Sequence, residues 1–172
     1  MGTRKSKCIL LAVMVISIWI PGFVMGAETL KFKSYTYVTK AESFPVGDVD
    51  GHIVGFTTRR AFLVFENGEV ATQKSVSTSD AIKGSGSSLT YQNITFSDGS
   101  TIIVKAVGEV TGTGPMAYTK IKMTREIIKG TGRFEGIKGT GTTTVKYFPI
   151  EEGEPGPRGI GEGTLTYTLP SK

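Results

Sequence analysis

The feature that most constrains the fold is an alternation of apolar and polar residues with a period of two, which runs through almost the whole chain after residue 27. This is the period of a β-strand with one buried face, and no stretch of ten or more residues shows the three-and-four spacing of an amphipathic helix. The alternation predicts an all-β protein with strands at 29–39, 52–66, 69–80, 88–97, 100–110, 116–128, 141–148 and 162–169.

Short turn signals separate these strands. Asn67-Gly68 and Asp98-Gly99 are dipeptides typical of tight hairpins, and 149–163 is the longest irregular segment. Further breaks are predicted at 43–50, 83–87 and 111–115. About eight antiparallel strands in one domain form a sandwich or a closed barrel. Because closure removes exposed strand edges, we predict a single eight-stranded antiparallel β-barrel over 27–172.

Residues 1–26 are predicted to be a secretory signal rather than part of the fold. Three basic residues lie among the first seven, an apolar run follows at 8–20, and small or apolar residues precede Ala27. We expect cleavage between Gly26 and Ala27, and a secreted or periplasmic protein. A retained anchor is the alternative, but Pro21-Gly22 interrupts an apolar core that is shorter than the ~20 residues of a bilayer span.

Removal of this segment changes what the composition implies. The full chain has a net charge of +5, and the segment carries three basic and no acidic residues, which leaves +2. Its only cysteine, Cys8, and its only tryptophan, Trp19, also lie there. The domain is therefore expected to fold without a disulfide, and nucleic-acid binding loses its main electrostatic support.

The glycine-rich stretch KGTGRFEGIKGTG at 129–141 could be a phosphate-binding loop or a connector between strands. Gly130, Gly132 and Gly136 match neither glycine pattern of the phosphate loops, and the threonines and valine that follow favour a strand over a helix. We predict a connector shaped by the three glycines, in which Phe134 packs inward as a plug. No nucleotide is expected as a partner.

The motif GTGRFEGIKG within this stretch resembles the glycine-aromatic-Glu-Gly segment of the allene oxide cyclase barrel, and dirigent proteins carry a related motif. Residues 88–110 resemble paired strands of bacterial polyketide cyclases that form spirotetronate rings. The resemblance spans 29–169 and implies a calycin-like eight-stranded barrel with a mostly apolar central cavity. An enzyme of this kind would be an isomerase or cyclase without a cofactor. The strand at 29–39 contains neither the glutamate nor the asparagine that plant cyclases of this type use there.

Conventional catalytic groups are sparse, and no catalytic residue can be assigned. A zinc site needs three or four His, Cys or carboxylate ligands, and the domain has one histidine and no thiol, so neither a metal nor a cofactor is expected. That histidine, His52, could assist a serine nucleophile, but the G-x-S-x-G pattern is absent from the sequence. We interpret His52 as a solvated residue at the barrel rim.

Alternate residues along each strand face the barrel interior, and this alternation supplies three candidate residues for a ligand cavity, namely Arg125, Tyr147 and Tyr167. Arg125 shares its face with apolar residues of 116–128, and a buried guanidinium is costly unless it is paired. It could bind an acidic group or an oxyanion, or it could lie near the strand end and extend to the rim. The two tyrosines could fill the core or contact an apolar ligand.

Three hypotheses for function remain open. The first is a barrel that binds a small apolar molecule, with or without an acidic group. The second is a cyclase or isomerase in which the cavity restrains a reactive lipid or polyketide. The third is a structural barrel with a filled interior. Residues 59–68 are apolar on both faces, which a bulge or self-association through the outer barrel face would explain.

Overall fold

A computed structural model describes residues 26–112 and 118–171. Its strands are β1 (Glu28–Pro45), β2 (His52–Phe65), β3 (Val70–Ile82), β4 (Ser85–Phe96), β5 (Thr101–Gly112), β6 (Tyr118–Thr131), β7 (Lys138–Tyr147) and β8 (Gly159–Thr168). Each strand pairs antiparallel with its sequence neighbour, and β8 pairs with β1 to close the barrel. The predicted all-β fold, a single eight-stranded antiparallel barrel, is confirmed.

The predicted signal segment lies outside the described residues, apart from Gly26. Within the two described ranges, no helix has the length and apolar character needed to cross a bilayer. The one helical element there is a single 3₁₀ turn, Gly132–Phe134, between β6 and β7.

The alternation in β2 continues without a phase shift through the run that is apolar on both faces. Ala61, Leu63 and Phe65 point into the barrel and are buried, whereas Phe62 and Val64 point outward and are exposed. The β2–β3 pairing keeps one register throughout, so a bulge there is the wrong explanation for this run. Tyr35, Tyr37 and Ile160 extend the exposed apolar surface on the neighbouring strands. Self-association through this outer face stays a prediction.

Strand β1 is longer than predicted. It continues to Pro45, and residues 40–45 pair with 53–58 beyond a register shift between Val38 and Lys40. Most side chains after the shift are exposed on both faces, because this part of the hairpin projects beyond the barrel core. Without a buried face there is no apolar alternation to mark the strand. Strand β4 similarly begins at Ser85, directly after the two positive-φ residues Lys83 and Gly84 of a tight turn.

Five aromatic rings close one end of the barrel and are here called the aromatic plug. Neighbouring ring centroids lie 4.8–6.2 Å apart along the series Phe32, Phe65, Phe96, Phe134 and Tyr167. Phe134 is only 3 % exposed and is supplied by the 3₁₀ turn. Contacts of this kind add to the apolar area that the rings bury. The plug and the aliphatic residues around it form the main hydrophobic core.

The glycine-rich stretch is the connector that carries Phe134 into the plug. Gly132 has φ +64°, and a Cβ there would stand 2.5 Å from the Ser100 Oγ atom, so only glycine fits this turn without strain. Gly130 belongs to β6, Gly136 also has a positive φ, and β7 follows directly. In this described segment the glycines are followed by a strand and not by an α-helix, so the anion site of a phosphate loop is not formed.

Candidate ligand-binding site

A cavity occupies the half of the barrel away from the aromatic plug. It has a free volume of about 40 Å³ and is partly open to solvent. At roughly 10–15 Å³ for each water-sized position, this is room for about three water molecules or a small head group. Inward-facing residues of β1 to β7 line it, and most of them carry hydroxyl, amide or guanidinium groups. Polar residues thus predominate by number, whereas the surface that the lining presents to the cavity is more apolar than polar.

The polar side of the cavity is built by β3 and β4. The side chains with which these two strands line the cavity are serines, glutamines and a threonine: Gln73, Ser75, Ser77, Ser79, Ser88, Thr90 and Gln92. Ser77 and Thr90 lie opposite each other, and their hydroxyl oxygens are 2.9 Å apart. Three further buried atoms, Gln73 Oε1, Ser88 Oγ and Gln92 Oε1, have no hydrogen-bond partner in the described structure. A polar ligand could satisfy these atoms.

Most of the apolar part of the lining comes from β5, β6 and β7, which also contribute the polar groups of Arg125 and Thr143. Val110 of β5 and Ile121 of β6 are buried and form a second hydrophobic cluster, against which Met123 and Tyr147 pack. Val145 of β7 is also buried and lines the cavity. A lining with both polar and aliphatic groups suits a molecule with both kinds of surface.

Arg125 is buried in the cavity wall, with 4 % of its surface exposed. Its guanidinium carbon lies 4.9 Å from the centre of the Phe32 ring of the aromatic plug. Among the described residues, no hydrogen-bond acceptor reaches its Nε or Nη1 atom. Burial lowers the pKa of Arg125 from its ordinary value to about 9, so the side chain is charged at neutral pH. The alternative interpretation, in which Arg125 extends to the barrel rim, is therefore wrong.

A second arginine, Arg59 of β2, lines the same cavity and is 8 % exposed. Its Nη1 group donates to the hydroxyls of Thr57 and Ser77, and its guanidinium carbon lies 5.8 Å from the centre of the Tyr147 ring. Its buried Nε has no partner within the described ranges. Arg59 was not among the sequence candidates.

The two candidate tyrosines occupy different parts of the barrel. Tyr147 lines the cavity beside Arg59. Tyr167 does not line it, because its ring belongs to the aromatic plug and its hydroxyl donates to Glu28 Oε2 at 2.6 Å. Burial, and secondarily this carboxylate, raise the pKa of Tyr167 to about 12. Strand parity identified the inward face correctly but could not distinguish one end of the barrel from the other.

The His52 side chain bridges two carboxylates at the barrel end opposite the aromatic plug. Its Nδ1 lies 2.6 Å from Asp48 Oδ1, and its Nε2 lies 2.8 Å from Asp80 Oδ1. Both ring nitrogens can donate only when the imidazole is protonated. The contacts with Asp80, and then with Asp48, raise the pKa of His52. His52 therefore ties the β1–β2 turn to β3, and it is not one of the cavity-lining residues.

The cavity lining restricts the chemistry that this site can perform. Neither an aspartate, a glutamate nor a histidine is among the described lining residues. Likewise, the residues of the two described ranges contain no group of three or more His, Cys, Asp or Glu that could hold a metal ion. The lining offers hydroxyl, amide and guanidinium groups, which bind and orient a ligand and can stabilise negative charge on it.

Sequence reasoning missed the polar lining residues of β3 and β4 because it placed the apolar face of each strand inside the barrel. In β3 the apolar residues Val70 and Val76 are exposed, whereas Gln73 and Ser75 are buried. Hairpin register carries the missing signal: Leu63 pairs with Ala71 across the turn at Asn67-Gly68, and paired residues share a face. On β2, counting back by twos from the buried Phe65 would likewise have placed Arg59 on the inner face.

Comparisons with known proteins give a likeness in fold. No family model and no curated protein matches the chain. Among solved structures, the pterocarpan synthase dirigent protein GePTS1 is similar with a TM-score of 0.52 and 16 % identity, over 94 % of this chain and 100 % of that one. The pterocarpan synthase dirigent protein PsPTS1 gives a TM-score of 0.45 and 19 % identity, over 87 % of this chain and 98 % of that one. The likeness to GePTS1, together with the closed eight-stranded barrel, shows that the chain has a dirigent-like barrel fold.

Proposed function

We propose that this protein binds a small organic molecule in the central cavity of its barrel. The observation that carries the proposal is a set of buried polar atoms in the cavity wall that lack partners in the described structure, among them Ser88 Oγ and Thr143 Oγ1. An unsatisfied buried polar group costs about 1–3 kcal/mol, and a barrel with a purely structural role would gain stability from apolar residues at these positions. A ligand with polar groups accounts for their presence.

The polar and apolar parts of the lining indicate an amphipathic ligand. Its polar side would face the hydroxyls and amides of β3 and β4, and its apolar side would face Val110, Ile121 and Val145. The free volume of about 40 Å³ accommodates only a head group, so a larger ligand would extend through the opening. This ligand corresponds to the first hypothesis in the form that includes a polar or acidic group.

Native mass spectrometry of the purified protein tests the proposal. We expect a fraction of the wild type to carry a small noncovalent adduct that denaturation releases. Ser88→Leu fills the cavity from the polar wall and should lose the adduct, while its circular dichroism spectrum stays that of a β-protein. Ser87→Leu is the matched control, because Ser87 is exposed on the outer face, and it should keep the adduct.

The ligand-binding proposal would be contradicted if the wild-type protein carried no adduct, both as purified and after incubation with small acids, amines and alcohols. That result would favour the filled structural barrel.

A cyclase or isomerase is the second candidate function. It is favoured by the buried guanidinium of Arg125, which could stabilise an oxyanion that develops as a ring closes. GePTS1, the dirigent protein with a similar fold, is a pterocarpan synthase. The described lining has no carboxylate or histidine that could serve as a general base, which favours binding, or restraint of a substrate that is already reactive, over proton abstraction.

We also propose that the protein is exported after cleavage between Gly26 and Ala27. The support is the basic start, the apolar run and the small residues before Ala27 in the sequence. Amino-terminal sequencing of protein recovered outside the cytoplasm should begin at Ala27. A sequence that begins at Met1 in the membrane fraction would instead indicate a retained anchor.

A further inference from the structure

The two arginines of the cavity stand on opposite sides of the barrel. Arg59 lies on β2 and Arg125 on β6, and these strands are separated by three others in either direction around the closed sheet. Both side chains point inward, both are more than nine-tenths buried, and both line the same cavity. A group held in that cavity would therefore be approached by a guanidinium from each side.

Within the described ranges, the two guanidiniums contact only neutral groups. Arg59 donates to two hydroxyls and lies near an aromatic ring, and Arg125 lies against Phe32. Ion pairs are present among the described residues, but none involves Arg59 or Arg125. The described cavity lining thus carries two positive charges and no negative charge.

Other arginines of the same protein show what pairing looks like in this fold. Arg133 stacks on the rings of Phe96 and Phe134 and also contacts the carboxylates of Glu69 and Asp98. Arg158 contacts the carboxylates of Glu151 and Glu154. Arg133 and Arg158, which solvent can reach, thus have acidic partners, whereas the exposed Arg60 has none in the described structure. The buried Arg59 and Arg125, for which an unpaired charge costs most, also have none there.

We propose that Arg59 and Arg125 form an oxyanion subsite and that the ligand of the barrel carries a carboxylate or phosphate group. The free N–H groups include Nε of both arginines and Nη1 of Arg125, and a guanidinium presents these donors in the planar fork that matches both kinds of oxyanion. The anion supplies the negative charge that the lining lacks. This inference rests on the proposed ligand-binding function and assigns the ligand class.

Matched acid and amide probes test the inference by nuclear magnetic resonance of ¹⁵N-labelled protein. Hexanoate and hexanamide have nearly the same shape and differ in charge, and hexyl phosphate tests the other oxyanion. We expect hexanoate or hexyl phosphate to shift the Nε–H signals of both Arg59 and Arg125 and to bind at least tenfold more tightly than hexanamide. The tighter of the two acids identifies the oxyanion.

Two single substitutions and a matched control complete the experiment. Arg59→Met and Arg125→Met should each weaken acid binding by about ten- to a hundredfold, the effect of losing a charge-assisted hydrogen bond, and leave hexanamide binding unchanged. Arg60→Met removes an equal charge from the outer face of the same strand and should leave both affinities unchanged.

Two results would overturn the oxyanion subsite. Equal affinity for acid and amide in the wild type, with no Nε–H shift, would do so while leaving cavity binding intact. Acid binding that survives in both Arg59→Met and Arg125→Met would place the anion elsewhere. If none of the probes binds and the purified protein carries no adduct, the proposed ligand-binding function fails together with the subsite.

Discussion

Replacing Arg125 by methionine should make the protein without its ligand more stable. Methionine keeps much of the length of the side chain and can contact the Phe32 ring through its sulfur, but it carries no charge to bury. A buried charge without a partner is a liability in the folded state, and it persists where function requires it. The sign of the stability change therefore distinguishes a functional arginine from a structural one.

The size of the effect follows from the pKa of the guanidinium. Burial lowers the pKa of Arg125 to about 9, well below its ordinary value, and at 1.36 kcal/mol for each tenfold change this amounts to several kcal/mol against the charged form. The cation–π contact with Phe32 is part of what the variant loses, and such contacts contribute about 0.5–2 kcal/mol. Replacement of buried charges by apolar residues of similar volume often stabilises a protein by about 1–4 kcal/mol, and we expect the gain in the free energy of unfolding of Arg125→Met to lie in this range.

Urea unfolding of the wild type, Arg125→Met and Lys105→Met measures this difference. Lys105 lies on the neighbouring strand with its side chain outward, and its removal should change stability by no more than about 0.5 kcal/mol. Because the folded-state pKa of Arg125 lies below the unfolded one, its cost is fully present below pH 9 and declines as the pH rises toward the ordinary pKa of an arginine. The advantage of Arg125→Met should therefore shrink above pH 9. A variant that is less stable than the wild type by more than 1 kcal/mol at pH 7 would refute the reasoning.

Three further predictions concern other parts of the barrel. Thr143→Val removes a buried hydroxyl that lacks a partner in the described structure, so thermal unfolding should show a gain of about 1 kcal/mol; a loss would mean that the hydroxyl is satisfied. Phe134→Ala should lower the free energy of unfolding by about 3–5 kcal/mol in urea, whereas Phe148→Ala, which is 53 % exposed, should change it little; similar losses in both would contradict the aromatic plug. The pKa of His52, the only histidine, should exceed 6.5 by nuclear magnetic resonance, because Asp80 and Asp48 stabilise its charged form. Its contribution to stability should be complete below pH 6.5 and disappear as the pH rises through the folded-state pKa, and His52→Gln should abolish this dependence.

The fold could be predicted from the sequence because each strand that packs on the core carries its own alternation. The aromatic plug illustrates this, since Phe32, Phe65 and Phe96 lie on the inward faces of three different strands and share one buried cluster. The end of β1 could not be predicted, because residues 40–45 pair with β2 without burying either face.

The candidate site was predicted only in part, for a related reason. Arg125 stands out among apolar neighbours on its strand, so parity placed it inside. Gln73, Ser75 and Gln92 lie on strands where hydroxyl and amide groups occupy the inner face, and there the usual rule assigns the wrong side. A strand that lines a binding cavity does not obey the pattern of a strand that packs against a core. The departure from the pattern is itself informative, once hairpin register shows which face is inside.

The central claim is that the interior of this barrel binds the acidic group of a small molecule between two arginines. A crystal structure of the wild type grown with the tighter-binding acid among the hexanoate and hexyl phosphate probes tests it most directly. We predict density for the oxyanion inside the barrel, with its oxygens about 2.7–2.9 Å from guanidinium nitrogens of both Arg59 and Arg125. Density for the acid only on the outer apolar surface around Phe62, with water or side chains filling the interior, would contradict the claim.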